Sequence, residues 1–191
     1  YRIRKFESNS DLALHSIIAL NPNIVKEARE KDRKRPSNLR NSVYGLPILL
    51  KDNINTIGMP TTAGAFALQN NTTTDDAFIV KKLKENGALI LGKANLSEWA
   101  YYFCSGCPVG YSSIGGQTLN PYGRKVFETG GSSSGSGVTV AVNFAVAAVG
   151  TETSGSILSP SSQNSVVGLK PSIGLFNAVF KFCGITPTHL S

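Results

Sequence analysis

Between Gly130 and Lys170, two serine- and glycine-rich turns flank one long apolar run, and no other stretch restricts the chain as much. The first turn reads Gly130-Gly131-Ser132-Ser133-Ser134-Gly135-Ser136-Gly137, the second Glu152-Thr153-Ser154-Gly155-Ser156-Ile157. Val138–Val149, between them, is uncharged, with only Thr139 and Asn143 as polar side chains. A membrane span needs about 20 apolar residues, so this run is too short for one. Its pattern predicts a buried helix passing into a buried strand, with the break near Phe144-Ala145. That element carries the chain away from the first turn and back, so both serine clusters can face one pocket.

Three other readings of the first turn compete. A Gly/Ser linker separates domains, but a core-grade apolar run follows this one at once. A phosphate-binding loop requires a lysine after its second glycine, and none follows here. Gly131-Ser132-Ser133-Ser134-Gly135 also matches the G-x-S-x-G nucleophile elbow, which would make Ser133 the nucleophile of an α/β-hydrolase. That chemistry needs a histidine after the serine, and His189 is the one candidate.

With 191 residues and 41% apolar content, the chain is expected to form one domain, 1–191, with a substantial core. Neither a signal pattern nor a membrane span is evident. A cytoplasmic protein with no membrane association is the expectation, although a signal already removed would leave no trace. The three cysteines argue against a disulfide framework. Cys104-Ser105-Gly106-Cys107 reads as a pair of ordinary thiols, with a redox motif as the alternative. No metal site is expected, because a zinc site would need more histidines or a second cysteine pair. The net charge of +7 is concentrated in residues 1–40, with ten Lys/Arg against five Asp/Glu. Glu27, Glu30 and Asp32 interrupt the basic run Lys26–Arg40 and no aromatic residue interleaves it, so a solvated helix is expected there and no nucleic-acid partner.

In chain order, the spacing predicts a helix over Ser10–Leu20. A second helix is capped by Asn21 with Pro22 at its first position and runs to about Arg35. Pro36–Arg40 reads as loop and Val43–Leu50 as a buried strand ending at Lys51. Thr56–Asn71 is predicted as loop with one helical turn. A helix opened by Asp75 and Asp76 stops at Asn86-Gly87. Ala88–Leu91 reads as strand, Ser97–Tyr102 as helix, Cys104–Lys125 as a long functional loop and Val166–Leu169 as a buried strand. Strands alternating with helices predict a layered α/β/α domain around a mixed β-sheet.

Lys51 follows three bulky apolar residues at a strand end. A strand-end lysine ordinarily reaches water, but one desolvated in a pocket loses its charge and can act as a base. With no histidine beside either serine cluster, a lysine is the available base for a hydroxyl nucleophile.

The stretch Gly45–Gly64, with Lys51-Asp52-Asn53 at its centre, resembles the lysine motif of the amidase signature family. Gly92-Lys93-Ala94-Asn95-Leu96-Ser97-Glu98-Trp99, Gly116–Pro121, Gly130–Gly137, Gly150–Ile157 and Val167–Pro171 follow in family order. The resemblance spans about residues 10–175. Glu152-Thr153-Ser154-Gly155-Ser156-Ile157, with Leu158 in place of an arginine, is most similar to the peptide-amidase-like branch. It implies Ser156 as nucleophile, Ser132 as bridging serine after a cis peptide bond, and Lys51 as base. The N–H groups of Thr153, Ser154, Gly155 and Ser156 are implied as the oxyanion hole, and Ser133 and Gly131 as supporting residues. The implied reaction is hydrolysis of a carboxamide C–N bond in a small molecule or peptide, through a seryl acyl-enzyme and without cofactor. Two alternatives remain: an A-type amidotransferase component that acts on glutamine for tRNA-dependent amidation, and a non-catalytic remnant that only binds.

Ser154 and Leu158 depart from the glycine and arginine common in the family. Residues 1–40 are expected to hold N-terminal helices and 41–175 the catalytic motifs. Residues 176–191 are expected to be a divergent, truncated end, with Leu175–Cys183 longer than the family's turn and the fold incomplete beyond it.

Overall fold

The structure, a computed structural model, describes residues 1–7, 11–39, 42–103 and 106–172. At its centre lies β2, Pro47–Lys51, whose last four residues are all buried. Ile48, Leu49 and Leu50 give it an apolar side chain on both faces, as a strand covered on both sides requires. It runs parallel to β3, Leu89–Ala94, and to β6, Ala147–Val149. An antiparallel strand, β1, Ile17–Leu20, closes the other side of β3, so the mixed sheet has the order β1-β3-β2-β6.

Successive side chains of β2 enter different cores, as the period of two demands. Leu50 packs with Ile54, Met59, Val80 and Ile90 beneath α3, Phe78–Glu85, whose Ile79 and Leu83 also join. Leu49 packs with Ala94 and Ala145. On that side α4, Ser134–Ala141, lies against β2, β3 and β6. Its glycines allow the close approach, since a Cβ on Gly135 would stand 2.4 Å from the Ser16 carbonyl oxygen. The layered α/β architecture is therefore as expected. The passage of Val138–Val149 from helix to strand is also as expected, with Asn143 at φ 57 in the break. The strand is not buried, however: β6 stands at the edge of the described sheet with Ala147 exposed, because no described strand pairs with its outer side. None of the described helices is long and apolar enough to cross a membrane.

Several elements differ from expectation. Ser10–Leu20 holds strand β1 rather than a helix, because Ile17, Ala19 and Leu20 find backbone partners on β3. The N-terminal helices are α1, Arg2–Glu7, and α2, Ile24–Arg33. Asn21 does not cap α2 directly; its side-chain oxygen accepts the Asn23 N–H in the turn before it. Val43–Leu46 is a turn, and β3 extends three residues beyond Leu91. Ser97–Tyr102 is a tight turn, with Trp99, Ala100 and Tyr101 at positive φ, a conformation incompatible with an α-helix. The long loop after it contains a hairpin of β4, Tyr111–Ser112, and β5, Gly116–Gln117. Val166–Leu169 is not a buried strand: Val167 is 98% and Leu169 78% exposed, with no sheet partner among the described residues. Leu175–Cys183 and His189 lie outside the described residues.

Candidate active site

Strand β2 delivers Lys51 into the interior with none of its surface exposed. Its ammonium nitrogen donates to Ser132 Oγ at 2.6 Å and to the Thr151 carbonyl at 3.2 Å. Burial lowers the Lys51 pKa to about 7, opposed by the negative charge of Glu152. Lysine at a strand end is ordinarily a surface residue. Here Lys51 pairs with Ala94 of β3, β6 ends beside the preceding Leu50, and Ser132 and Thr151 close over its tip.

Ser132 lies in the turn that leads into α4, after Gly130 at φ 63 and a cis bond from Gly131. Its carbonyl accepts the Ser97 N–H at 3.0 Å, and its hydroxyl lies 3.0 Å from Ser156 Oγ. A Cβ at Gly131 would stand 2.7 Å from Ser97 Oγ, so any side chain there would have to displace the Ser97 hydroxyl. Strand β6 then returns the chain to the same place. Leu50 pairs with Val149, and two residues on, Thr151 reaches Lys51.

Ser156 is half-buried and follows Gly155 at φ 75. Its carbonyl accepts the Ser133 N–H at 3.1 Å, which ties the second serine turn to the first. Ser133 Oγ donates to the Thr151 carbonyl at 3.2 Å and accepts the Thr151 N–H at 3.3 Å. It is thus spent on backbone groups inside the fold. Lys51, Ser132 and Ser156 therefore meet in one hydrogen-bonded line, with Ser133 and Gly131 beside it.

Glu152 organises the turn carrying Ser156. Its carboxylate accepts the N–H groups of Ile157 at 2.7 Å and Leu158 at 3.0 Å. Partial burial raises its pKa, but the N–H groups of Leu158, Ile157 and Gly155 and the charge of Lys170 outweigh this and hold it below the usual carboxylate range. Backbone donors at the start of α5, Leu158–Gln163, thus occupy the carboxylate where Leu158 stands in place of an arginine. The Thr153–Ser156 backbone rims the half-open side of the line, with Thr153 and Ser154 exposed.

Sequence reasoning passed over a second buried charge. Lys93 on β3 and Asp52, the neighbour of Lys51, form an ion pair at 3.2 Å, both fully buried. Burial lowers the Lys93 pKa, while Asp52 raises it. Lys93 stands within a recognised motif, and a charged side chain inside an apolar strand was the signal available.

A cavity of about 390 Å³ lies against the 97–113 segment, lined by Glu98, Trp99, Phe103, Cys107, Tyr111 and Ser113. Cys107 is disulfide-bonded, which corrects the ordinary-thiol reading at that position. No cluster of His, Cys, Asp or Glu that could hold a metal occurs among the described residues.

A family model described as Amidase matches residues 3–178. A probable amidase of Arabidopsis thaliana is 46% identical over 183 residues, 93% of this chain and 34% of that protein. The native peptide amidase of Stenotrophomonas maltophilia superposes with a TM-score of 0.85 and 49% identity, covering 91% of this chain and 35% of that one. The A component of the glutamyl-tRNA(Gln) amidotransferase of Thermotoga maritima gives 0.61 and 31%, covering 83% and 31%. The chain thus spans about a third of the length of each relative.

Proposed function

The chain belongs to the amidase family, and from that premise we propose that its protein hydrolyses a carboxamide C–N bond through Lys51, Ser132 and Ser156. One observation carries the reading. Three segments remote in sequence place an amine and two hydroxyls in a continuous line, with steps of 2.6 and 3.0 Å. A lysine with a pKa near 7 is substantially neutral at physiological pH, as a base must be.

In this scheme the neutral amine of Lys51 takes the Ser132 proton while Ser132 takes that of Ser156. Serine hydroxyls both donate and accept, so the relay needs only rotation of two hydrogens. Ser156 Oγ bonds to the amide carbon, and the carbonyl electrons move onto oxygen. The N–H groups of Thr153, Ser154, Gly155 and Ser156 stabilise that oxyanion, Gly155 being shared with Glu152. One such donor is worth about 3 kcal/mol. The C–N bond then breaks, and the proton held on Lys51 returns through Ser132 to the leaving nitrogen. Water attacks the resulting ester, gives its proton to the same relay and releases the acid with Ser156 restored. Protein groups alone move every proton, so the scheme calls for neither metal nor cofactor.

A peptide or small carboxamide is the favoured substrate class, because the likeness to the peptide amidase exceeds that to the amidotransferase component in both identity and superposition. Leu158 also departs from the arginine expected of that amidotransferase component. The test is labelling with an active-site-directed fluorophosphonate, with the adduct located by mass spectrometry. It is expected on Ser156 and absent from Ser156→Ala. An adduct on Ser133 would overturn this assignment in favour of a nucleophile elbow, and a protein that never labels would point to a binding role.

A further inference from the structure

Deep burial makes the Asp52–Lys93 pair costly. Replacing a buried ion pair with neutral side chains of similar size often leaves stability unchanged or raises it. A buried pair is therefore weak evidence for stability, and the contacts of this one point to another role. Lys93 Nζ donates to the Ile54 carbonyl at 2.9 Å, the Pro60 carbonyl at 3.2 Å and Thr61 Oγ1 at 2.9 Å. Asp52 Oδ2 accepts the Thr62 N–H at 3.1 Å, the Thr62 hydroxyl and the Gly64 N–H at 3.4 Å. The loop from Ile54 to Gly64 is thus wrapped around one ammonium–carboxylate centre.

That loop is in turn bonded to the serine line. The Ala63 carbonyl accepts the Trp99 N–H at 2.9 Å, and the Gly64 carbonyl accepts the Ile114 N–H at 3.1 Å. Two residues before Trp99, the Ser97 N–H holds the Ser132 carbonyl. On the other side Asp52 is covalently next to Lys51, and its N–H donates to the Ala94 carbonyl at 3.1 Å. The pair therefore reaches the base by one peptide bond and the bridging serine by a short run of backbone hydrogen bonds.

We infer that the Asp52–Lys93 pair is a positioning device that sets the approach of Lys51 to Ser132. This rests on the function proposed above. The pair touches neither substrate nor the reacting atoms, and it acts by holding the two segments that carry them.

The experiment compares Lys93→Met, Asp52→Asn and the double variant with the wild-type protein. It reads the rate constant of fluorophosphonate acylation per labelled Ser156, kcat and KM on an amide, and the melting midpoint. The double variant is expected to melt close to wild type, because no charge is left unpaired. Its acylation rate constant and kcat should still fall at least tenfold, with KM within about twofold. A purely structural role would lower the number of labelled sites without changing the rate at each. A double variant that melts and acylates as wild type overturns this inference alone, whereas a wild type never labelled at Ser156 overturns it together with the proposed function. Should the double variant not fold, Thr62→Val removes one Asp52 contact without altering charge. A threefold or larger fall in its acylation rate is then expected, and an unchanged rate overturns the inference.

Discussion

Lys51, at the end of β2, and Ser132, in the turn before α4, meet at 2.6 Å although 81 residues separate them in sequence. The contact joins a fully buried amine to a hydroxyl with 1% of its surface exposed. Its chemical direction depends on protonation, since an ammonium can only donate to Ser132 whereas a neutral amine can accept from it.

The pH dependence of turnover follows. Burial holds the Lys51 pKa at about 7, so the competent neutral form grows as pH rises through that value. The rate constant for amide hydrolysis is expected to climb with a midpoint near pH 7 and then level off. Lys51→Arg should lose activity by orders of magnitude at every pH, because arginine does not deprotonate in proteins. A pH–rate series on both proteins checks this, and near-normal turnover by the arginine variant would remove Lys51 from the role of base.

The same lysine should cost stability. A folded-state pKa depressed from 10.5 to about 7 corresponds to about 5 kcal/mol against the protonated folded state, at about 1.4 kcal/mol per unit. Below pH 7 both folded and unfolded chains carry the proton, and the cost is complete. Between about 7 and 10.5 the unfolded chain binds more protons, so stability rises with pH. Lys51→Met escapes the cost. Its melting midpoint should exceed that of wild type most clearly at pH 6, and the gap should narrow by pH 10.

Glu152 should tune that midpoint. Its charge favours the protonated form of Lys51, so Glu152→Gln, which keeps an oxygen acceptor for Ile157 and Leu158, should move the pH midpoint lower with little loss of maximal rate. Glu152→Ala removes the acceptor as well, and about a tenfold loss of kcat is expected, in line with loss of one positioned hydrogen bond to a charged group. Measuring midpoint and plateau separately distinguishes charge from positioning.

Which of these features could be read without coordinates depended on how local their causes are. Lys51, Ser132 and Ser156 each lie in a short motif bounded by glycine or following a bulky apolar strand, and the apolar run between the serine turns predicted their return to one place. The break at Phe144-Ala145 was legible because the helix and strand each carry their own pattern. Ile17–Leu20 was not, because its hydrogen bonds come from Gly92–Ala94, far along the chain, and such partners override a short helical spacing. Val166–Leu169 misled in the opposite sense, since an apolar composition does not say whether a neighbour exists to cover it. Nor does a sequence without coordinates show that Lys93 faces Asp52. Tyr101 and its two preceding residues turn left-handed because of the Ala63 and Ser132 contacts around them, which no propensity encodes.

The close approach of α4 to the sheet supplies the last expectation. A Cβ on Gly135 would stand 2.4 Å from the Ser16 carbonyl oxygen and 2.6 Å from the Asn95 amide nitrogen and carbonyl oxygen. These are backbone atoms in or beside β1 and β3, so they cannot swing aside as a flexible side chain would. The Gly135 N–H also donates to the Asn95 carbonyl at 2.9 Å, and the same turn carries Ser132. Gly135→Ala must therefore push α4 away from the sheet and lengthen the step from Ser132 to Lys51. Overpacking of this kind costs about 1–3 kcal/mol. The melting midpoint should fall, and Ser156 acylation should slow even in the molecules that remain folded. By contrast, Gly155→Ala meets no atom within 4 Å and suffers only the strain of its positive φ, so it should lose less stability. Equal melting of the Gly135→Ala and wild-type proteins would show that the helix–sheet contact can relax without cost.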